Sequence, residues 1–435
     1  MKLQEISPEN DLHHIFTKHP EHVNTEYVYA AKTNNTPIYI DPGCAANKKI
    51  KVFLEHHLVS IITPNMLHKL RDTTKENIID ILQSSYENGR VLTIYEKIVI
   101  NDIPYSVVLK WIWSTAYARE TGAINPWMRG DIYIHKEEEK QALADFPFYE
   151  SSWVYWEEKA LLELERSQML HNMWIHSEKV LAIYKLEEII WPNGNYISIQ
   201  ELEETGVITQ WKKPVILIRA HKTNFRLLDI IMLDKYERNQ SIPNLIEHIL
   251  CEAETQWWTK DINQYTQKLF TTVIKNRLDL SWKFSRLNGE FWQDICRNIS
   301  MFWEELDLGT MDPMKDDTYF RNPNFYLEHY KRNMQSIFIW FSQMISTLEE
   351  NSEYKIDHEE LAKQVYNTVV QWVIDNKEDT TELYEKYNWG KWFWFSEVNA
   401  FLRSLIRESL KFFTDYSNKC EYEKILREKI EEKFW

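Results

Sequence analysis

Residues Phe291–Gly309 read FWQDICRNISMFWEELDLG. Asn298-Ile299-Ser300 is polar and turn-like. Six mostly apolar or bulky residues later, Asp307 is set among Leu306, Leu308 and Gly309. An Asn amide oxygen and a carboxylate are both hard oxygen donors, so Asn298 and Asp307 would share one divalent cation of the magnesium type. A helix, a short strand and a turn without any ligand would account for the same residues. Both readings stay open on this stretch alone.

Working outward, four upstream elements bear on the choice. Arg90 follows Gly89 and opens the alternating run Val91–Ile100, and Lys110 ends the next run, Tyr105–Lys110. Period-two alternation on either side of a short polar break predicts a β-hairpin. Glu158 and Glu163 lie in a helical segment, and Arg219 and Arg226 follow in the stretch 216–226. A strand lysine, a helix glutamate and a distal Asn and Asp occur in the chain order of a protein-kinase-like fold.

The chain resembles the SelO (YdiU) pseudokinases, a family that transfers AMP from ATP to protein hydroxyls. The resemblance is carried by K-x4-T-x-Y-x-R at Lys110, Thr115, Tyr117 and Arg119, by R-x6-R at Arg219 and Arg226, and by N-x-S-x6-D-x-G at Asn298, Ser300, Asp307 and Gly309. The gap between Arg90 and Lys110 is similar too, and Asn333 with Trp340 is a fainter echo; together these span residues 88–348. The departures are specific. Where the family's catalytic loop resembles H-G-x-x-N-x-D-N, this chain has Phe291–Asn298, with Arg297 at the place of the loop aspartate. Glycine-rich pieces around the hairpin are missing, and a long insertion, near residues 126–151, precedes the glutamate helix.

The resemblance implies an α+β, two-lobed protein-kinase-like (SelO-like) fold with a large, helical, aromatic-rich C-terminal lobe. It implies ATP and Mg2+ as cofactors and transfer of AMP to a hydroxyl of a protein or peptide. Arg90, Lys110, Arg219 and Arg226 would meet the triphosphate, and Asn298 and Asp307 the magnesium. Glu158 and Glu163 are five residues apart and point to different sides of a helix, so only one can face Lys110; by analogy with the family that one is Glu158. Arg297 cannot act as a base. Asp294, one helical turn earlier, would substitute for the missing acid, while Arg297 would neutralise charge on the reacting phosphate. Two further readings remain: a catalytically inactive, nucleotide-sensing scaffold, consistent with Arg297 and the missing glycines, and a helical interaction protein with no nucleotide site.

Composition narrows the classes. Nine glycines in 435 residues, with no G-x-G-x-x-G or G-x-x-x-x-G-K, argue against Rossmann and P-loop proteins. A formal charge of −15 argues against a nucleic-acid partner. Cysteines 44, 251, 296 and 420 are scattered without a C-x-x-C pair, as suits reduced thiols. No apolar run approaches the roughly 18 residues of a membrane span, and Met1–Pro8 lacks an apolar signal core, so the expectation is a cytoplasmic protein without membrane contact.

Three regions are expected. Residues 1–84 would be an entry region, with a strand at Pro37–Ile40 ended by Asp41-Pro42-Gly43, and helices near Lys49–His57 and Lys75–Tyr86. Residues 85–224 would form the smaller nucleotide-binding lobe, in the order strand, strand, insertion, helix, strand, the last strand being Lys213–Arg219. Residues 225–435 would be the helical lobe, with Leu361, Val365, Val369 and Trp372 on one buried face. The nineteen tryptophans read mainly as core. Trp389–Trp394 is the exception, a candidate docking patch, and Cys420–Trp435 would be a docked helix.

Overall fold

The computed structural model of the chain describes residues 25–56, 58–62, 78–85, 91–100, 103–110, 155–190, 195–204, 213–223, 225–227, 230–231, 242–257, 259–286, 289–290, 298–306, 308, 312–313, 337 and 339–375. It is a mixed helix and sheet structure. The chain divides into two compact units, one of Met1–Met169 with Glu178–Asn224, the other of Leu170–Ser177 with Phe225–Trp435.

The first unit is organised on a nine-stranded sheet. Eight strands follow the order β2 (Asn35–Ile40), β8 (Lys179–Leu186), β11 (Pro214–His221), β6 (Ile103–Lys110), β5 (Val91–Ile100), β4 (Ile78–Ser85), β1 (Thr25–Lys32) and β3 (Val59–Ile62). The short β7 (Tyr155–Trp156) also pairs with β11, and every pairing in this sheet is antiparallel. The expected hairpin forms as β5 and β6, paired from Val91 opposite Lys110 to Ile100 opposite Ile103, with a shift of register between Ile94 and Lys97. The stretch expected as an entry region contributes strands β1 to β4 to this same sheet.

Two expectations for local structure are corrected. Residues 78–85 form strand β4, not the helix expected over Lys75–Tyr86. Ile78, Ile79 and Ile81 are β-branched, and β4 pairs along β1 from Thr25 opposite Ser85 to Ala31 opposite Ile78, so cross-strand partners outweigh the helical reading. Strand β8 is an addition to the expected strand order. Its run Val180-Leu181-Ala182-Ile183-Tyr184 is wholly buried between β2 and β11, and such continuous apolar runs lack the alternation that signals a half-exposed strand. The expected strand at 37–40 is present, and Asp41 both ends it and begins a helix: its carboxylate accepts from the Gly43 and Cys44 N–H groups, with Pro42 in the first turn of α1 (Pro42–Ala46). Helix α2 (Lys48–His56) follows and buries Ile50 and Leu54.

β11 is buried along all eight residues, with Pro214 at its first position, where a missing N–H is tolerated. Its two faces meet different apolar groups. Ile216, Ile218 and Ala220 pack with Val107, Leu109, Leu181 and Tyr184. Val215 and Leu217 pack with Val180, Ile183, Tyr155 and Ala160 of helix α3 (Glu157–Asn172). By the two-residue period of a strand, Arg219 and His221 share the second face. After α3 come a two-stranded piece, β9 (Glu188–Ile190) with β10 (Tyr196–Ser198), and helix α4 (Ile199–Glu204).

α3 ends in a Schellman-type cap: the Ile175 N–H reaches Leu170 O at 2.9 Å and the Trp174 N–H reaches His171 O at 3.0 Å. Trp174 takes the left-handed conformation at φ 60° and is 90% exposed, while Leu170 and Ile175 are buried.

In the second unit the long helix α6 (Ile262–Arg286) buries Tyr265, Leu269, Phe270, Val273, Ile274 and Leu278, a helical period along one face. It packs with α7 (His358–Asp375). There Leu361, Val365, Val369 and Trp372 are buried, and the Trp372 Nε1–H donates to Asp279 at 2.8 Å. Phe270 stacks on Phe341, which lies in a helical run at 339–351. α5 (Ile242–Trp257) buries Leu245, Ile246, Ile249 and Ala253. Trp389–Trp394, Cys420–Trp435, Asn333, Thr115, Tyr117, Arg119 and the insertion at 126–151 lie outside the described residues.

Candidate functional site

Three strand positions and one helix position converge inside the first unit. Lys110 stands opposite Leu217 and Arg219 opposite Val108 across the β6–β11 ladder, and residues directly opposite share a face. Lys110 and Arg219 are therefore diagonal neighbours on the face that α3 covers, with His221 one step further, opposite Ser106. On α3, Ala160, Glu163, Ser167 and Leu170 are buried at spacings of three and four, so Glu163 sits mid-way along the packed stripe.

The charges are closely matched. The Lys110 ammonium donates to Glu163 Oε1, and the Tyr155 hydroxyl donates to the same oxygen at 2.5 Å. Lys110 Nζ also lies 4.7 Å from the Tyr155 ring centre, within cation–π range. Arg219 Nη1 donates to Glu178 Oε2 at 2.6 Å and lies 3.9 Å from Glu163 Oε2. His221 Nε2 is 3.4 Å from Glu178 Oε2. Glu178 immediately precedes β8, and its carbonyl accepts from Ser167 Oγ at 2.7 Å, which ties it to α3. Lys110 is 6% exposed; Glu163, Glu178 and Arg219 are 0% exposed.

Burial favours the neutral acid and works to raise the Glu178 carboxyl. The Arg219 guanidinium, with His221 and Lys110 close by, outweighs it and holds Glu178 well below the usual carboxylate range. Chemically, the arrangement is an ammonium held by a carboxylate, backed by a second cation that has a carboxylate of its own.

The pairing expected for Lys110 is corrected. Glu163 takes the ammonium, and Glu158 is exposed. Glu158 lies outside the buried stripe that begins at Ala160. The signal in the sequence was the spacing of Ala160 and Ser167, small residues that allow close helix–sheet approach on either side of Glu163. Tyr155, Glu178 and His221 were missed. Two-residue periodicity places His221 beside Arg219, whereas nothing local marked Glu178, an acid in front of an apolar strand.

The motif Asn298–Leu306 forms a tight hairpin in the second unit. Leu306 N–H bonds to Asn298 O at 2.8 Å, Ser300 N–H to Glu304 O at 3.0 Å, and Trp303 N–H to Ser300 O at 2.9 Å. Trp303 turns the chain in the left-handed conformation, φ 54°, a position usually given to glycine. Ser300 Oγ accepts from the Phe302 and Glu304 N–H groups at 3.2 and 3.0 Å. Arg226 and Ser300 form an antiparallel bridge flanked by bonds from Leu227 N–H to Ile299 O and from Met301 N–H to Phe225 O. The R-x6-R and N-x-S motifs therefore meet at Arg226, not at Arg219, which belongs to the first unit.

Beneath the hairpin, Arg277 of α6 donates to Glu305 at 2.6 Å, both fully buried. Burial pushes the Glu305 carboxyl up to about 7 against the opposing charge of Arg277, and burial also lowers Arg277. Tyr265 OH and Asn276 Nδ2 tie α6 to the carbonyls of Met301 and Trp303 at 2.7 and 3.1 Å.

Asn298 is buried on this hairpin, and Leu306, its partner, precedes Asp307 in the sequence. Asp307, Arg90, Asp294 and Arg297 lie outside the described residues. Among the described residues no three His, Cys, Asp or Glu side chains are placed to hold a metal, and no helix is long and apolar enough to cross a membrane. No family model matches the chain, and no curated protein matches it.

Proposed function

We propose that the protein is a SelO-like, protein-kinase-related nucleotide-binding protein that transfers AMP from ATP to a hydroxyl of a protein or peptide, with pyrophosphate as the leaving group. The observation that carries this reading is the buried pair between Lys110, at the end of the second hairpin strand, and Glu163, on the helix packed over it. A strand lysine held by a helix carboxylate is the device by which kinase-like folds aim an ammonium at nucleotide phosphates. Arg90 and Arg226 would supply further positive charge, as the family resemblance implies. Asn298 and Asp307 are hard oxygen donors suited to magnesium, which when bound would neutralise phosphate charge. Asp294 would accept the acceptor's proton. Such chemistry depends mainly on positioning and charge neutralisation, and this residue set needs no covalent intermediate.

A second reading, a nucleotide-sensing protein without catalysis, is favoured by one observation. Arg219 is already held by Glu178 at 2.6 Å, so one cation of the expected phosphate set is engaged by the protein itself. Labelling with α- and γ-labelled ATP separates the two. Transfer of the α label alone to protein supports AMP transfer, transfer of the γ label means phosphorylation, and ATP-dependent thermal stabilisation without labelling means sensing. No stabilisation and no labelling would discard both.

A further inference from the structure

We infer that Arg219 is a positioning residue, which with Glu178 fixes Glu163 and through it Lys110, and is not itself a contact for the phosphates. This rests on reading Lys110 as the phosphate-binding cation.

Three observations carry it. Arg219 is fully buried on a strand buried along its whole length, whereas Lys110, at the end of β6, retains some exposure. The Arg219 guanidinium lies between two carboxylates, at 2.6 Å from Glu178 and 3.9 Å from Glu163, so its charge is directed inward. The remaining contacts continue the same chain. His221 approaches Glu178 at 3.4 Å, Ser167 anchors Glu178 to α3, and Tyr155 and Lys110 share the far oxygen of Glu163. Alternating charges from Glu178 through Arg219 and Glu163 to Lys110 form one row, in which removal of an inner member leaves Glu163 with an unbalanced field and a loosened grip on the ammonium. A phosphate seeking Arg219 would have to displace Glu178, a carboxylate already held deprotonated by that same cation.

The two roles predict opposite behaviour for Glu178→Gln. If Arg219 bound phosphate directly, neutralising its competitor would tighten binding; if Arg219 acts through Glu163, the same change loosens it. The experiment measures ATP·Mg and inorganic tripolyphosphate binding by calorimetry for native protein, Arg219→Gln, Glu178→Gln, Lys110→Met and the two double variants with Lys110→Met. The rate of Lys110 acetylation is measured alongside by mass spectrometry, with thermal unfolding as a check on folding.

The expected result is that Arg219→Gln and Glu178→Gln each weaken binding by roughly tenfold and add nothing further in the Lys110→Met background, as coupled side chains do. Lys110 should also be acetylated several-fold faster in both variants. Tighter binding by Glu178→Gln, or a further loss on adding Arg219→Gln to Lys110→Met, would show direct phosphate contact and overturn the inference. Native protein that binds neither ligand would instead remove the nucleotide reading. The acetylation rates would then decide the positioning role by themselves, an unchanged rate overturning it. Should either variant fail to fold, Arg219→Lys and Glu178→Asp, which keep the charge and move its position, are expected to give the same directions at smaller size.

Discussion

Lys110 and Glu163 meet inside the sheet–helix layer across 53 residues of sequence, and the carboxylate that closes this contact also takes the Tyr155 hydroxyl. Removing one member of a buried pair leaves the other charge uncompensated, which costs about 3–5 kcal/mol. Glu163→Ala should therefore lower unfolding stability by that order in urea titrations. Glu158→Ala, at an exposed position, should stay within about 0.5 kcal/mol of native. Equal losses from both would place the lysine's partner at Glu158 after all.

In the second unit the corresponding pair is Arg277 with Glu305. Arg277→Met alone is expected to destabilise by about 3–5 kcal/mol, and adding Glu305→Leu should restore most of the loss, because a well-packed apolar pair avoids the desolvation of two ions. A double variant no more stable than the single would mean that Glu305 has a role the arginine does not explain.

These acids should respond to pH in opposite senses. Glu178 is lowered in the folded protein, so its contribution is present above its ordinary value of 4.5 and is lost as the pH falls below it. Glu305 is raised from 4.5 to about 7, so its contribution is complete below 4.5 and is lost as the pH rises to about 7. Glu178→Gln should flatten the acid limb of a stability–pH profile, and Glu305→Gln the decline between those two values. Unchanged profiles in both variants would contradict the two assignments.

Trp174 and Trp303 both occupy left-handed backbone, at φ 60° and 54°, but only Trp174 is exposed, at 90% against 3%. Left-handed backbone costs a non-glycine residue about 1–2 kcal/mol, part of which glycine loses again through its greater freedom in the unfolded chain. Trp174→Gly should accordingly raise stability by about 0.5–1 kcal/mol. Trp303→Gly should lower it, because the buried indole is lost, with its edge contact to the His176 ring. Thermal melts of the two variants moving in the same direction would refute this account.

What could be read from the sequence follows the physics of each element. The β5–β6 hairpin alternates, and one face of α7 repeats at three and four residues, so both were visible before the fold. β8 and β4 were not: β8 is apolar without alternation, and β4 owes its form to its pairing with β1. At the candidate site, Lys110 and Arg219 stood out as charges ending apolar runs. Family analogy points to Glu158, whereas the buried stripe from Ala160 to Leu170 contains Glu163. Glu178 had no local signature, since its role arises from strands 41 residues apart in sequence meeting in space.

The strands at the two ends of the described sheet order have a consequence for how copies of this chain behave in solution. β2 carries Pro37, which has no N–H to offer a neighbour, and β3 is four residues long. Neither is a good template for recruiting a strand from another molecule, and like charge on a chain of net −15 adds mutual repulsion at a distance. A sheet this apolar at its centre is thus finished at its margins in a way that disfavours cross-β growth, so self-association at high concentration should sharpen when Pro37 is replaced by a β-branched residue and salt is raised together.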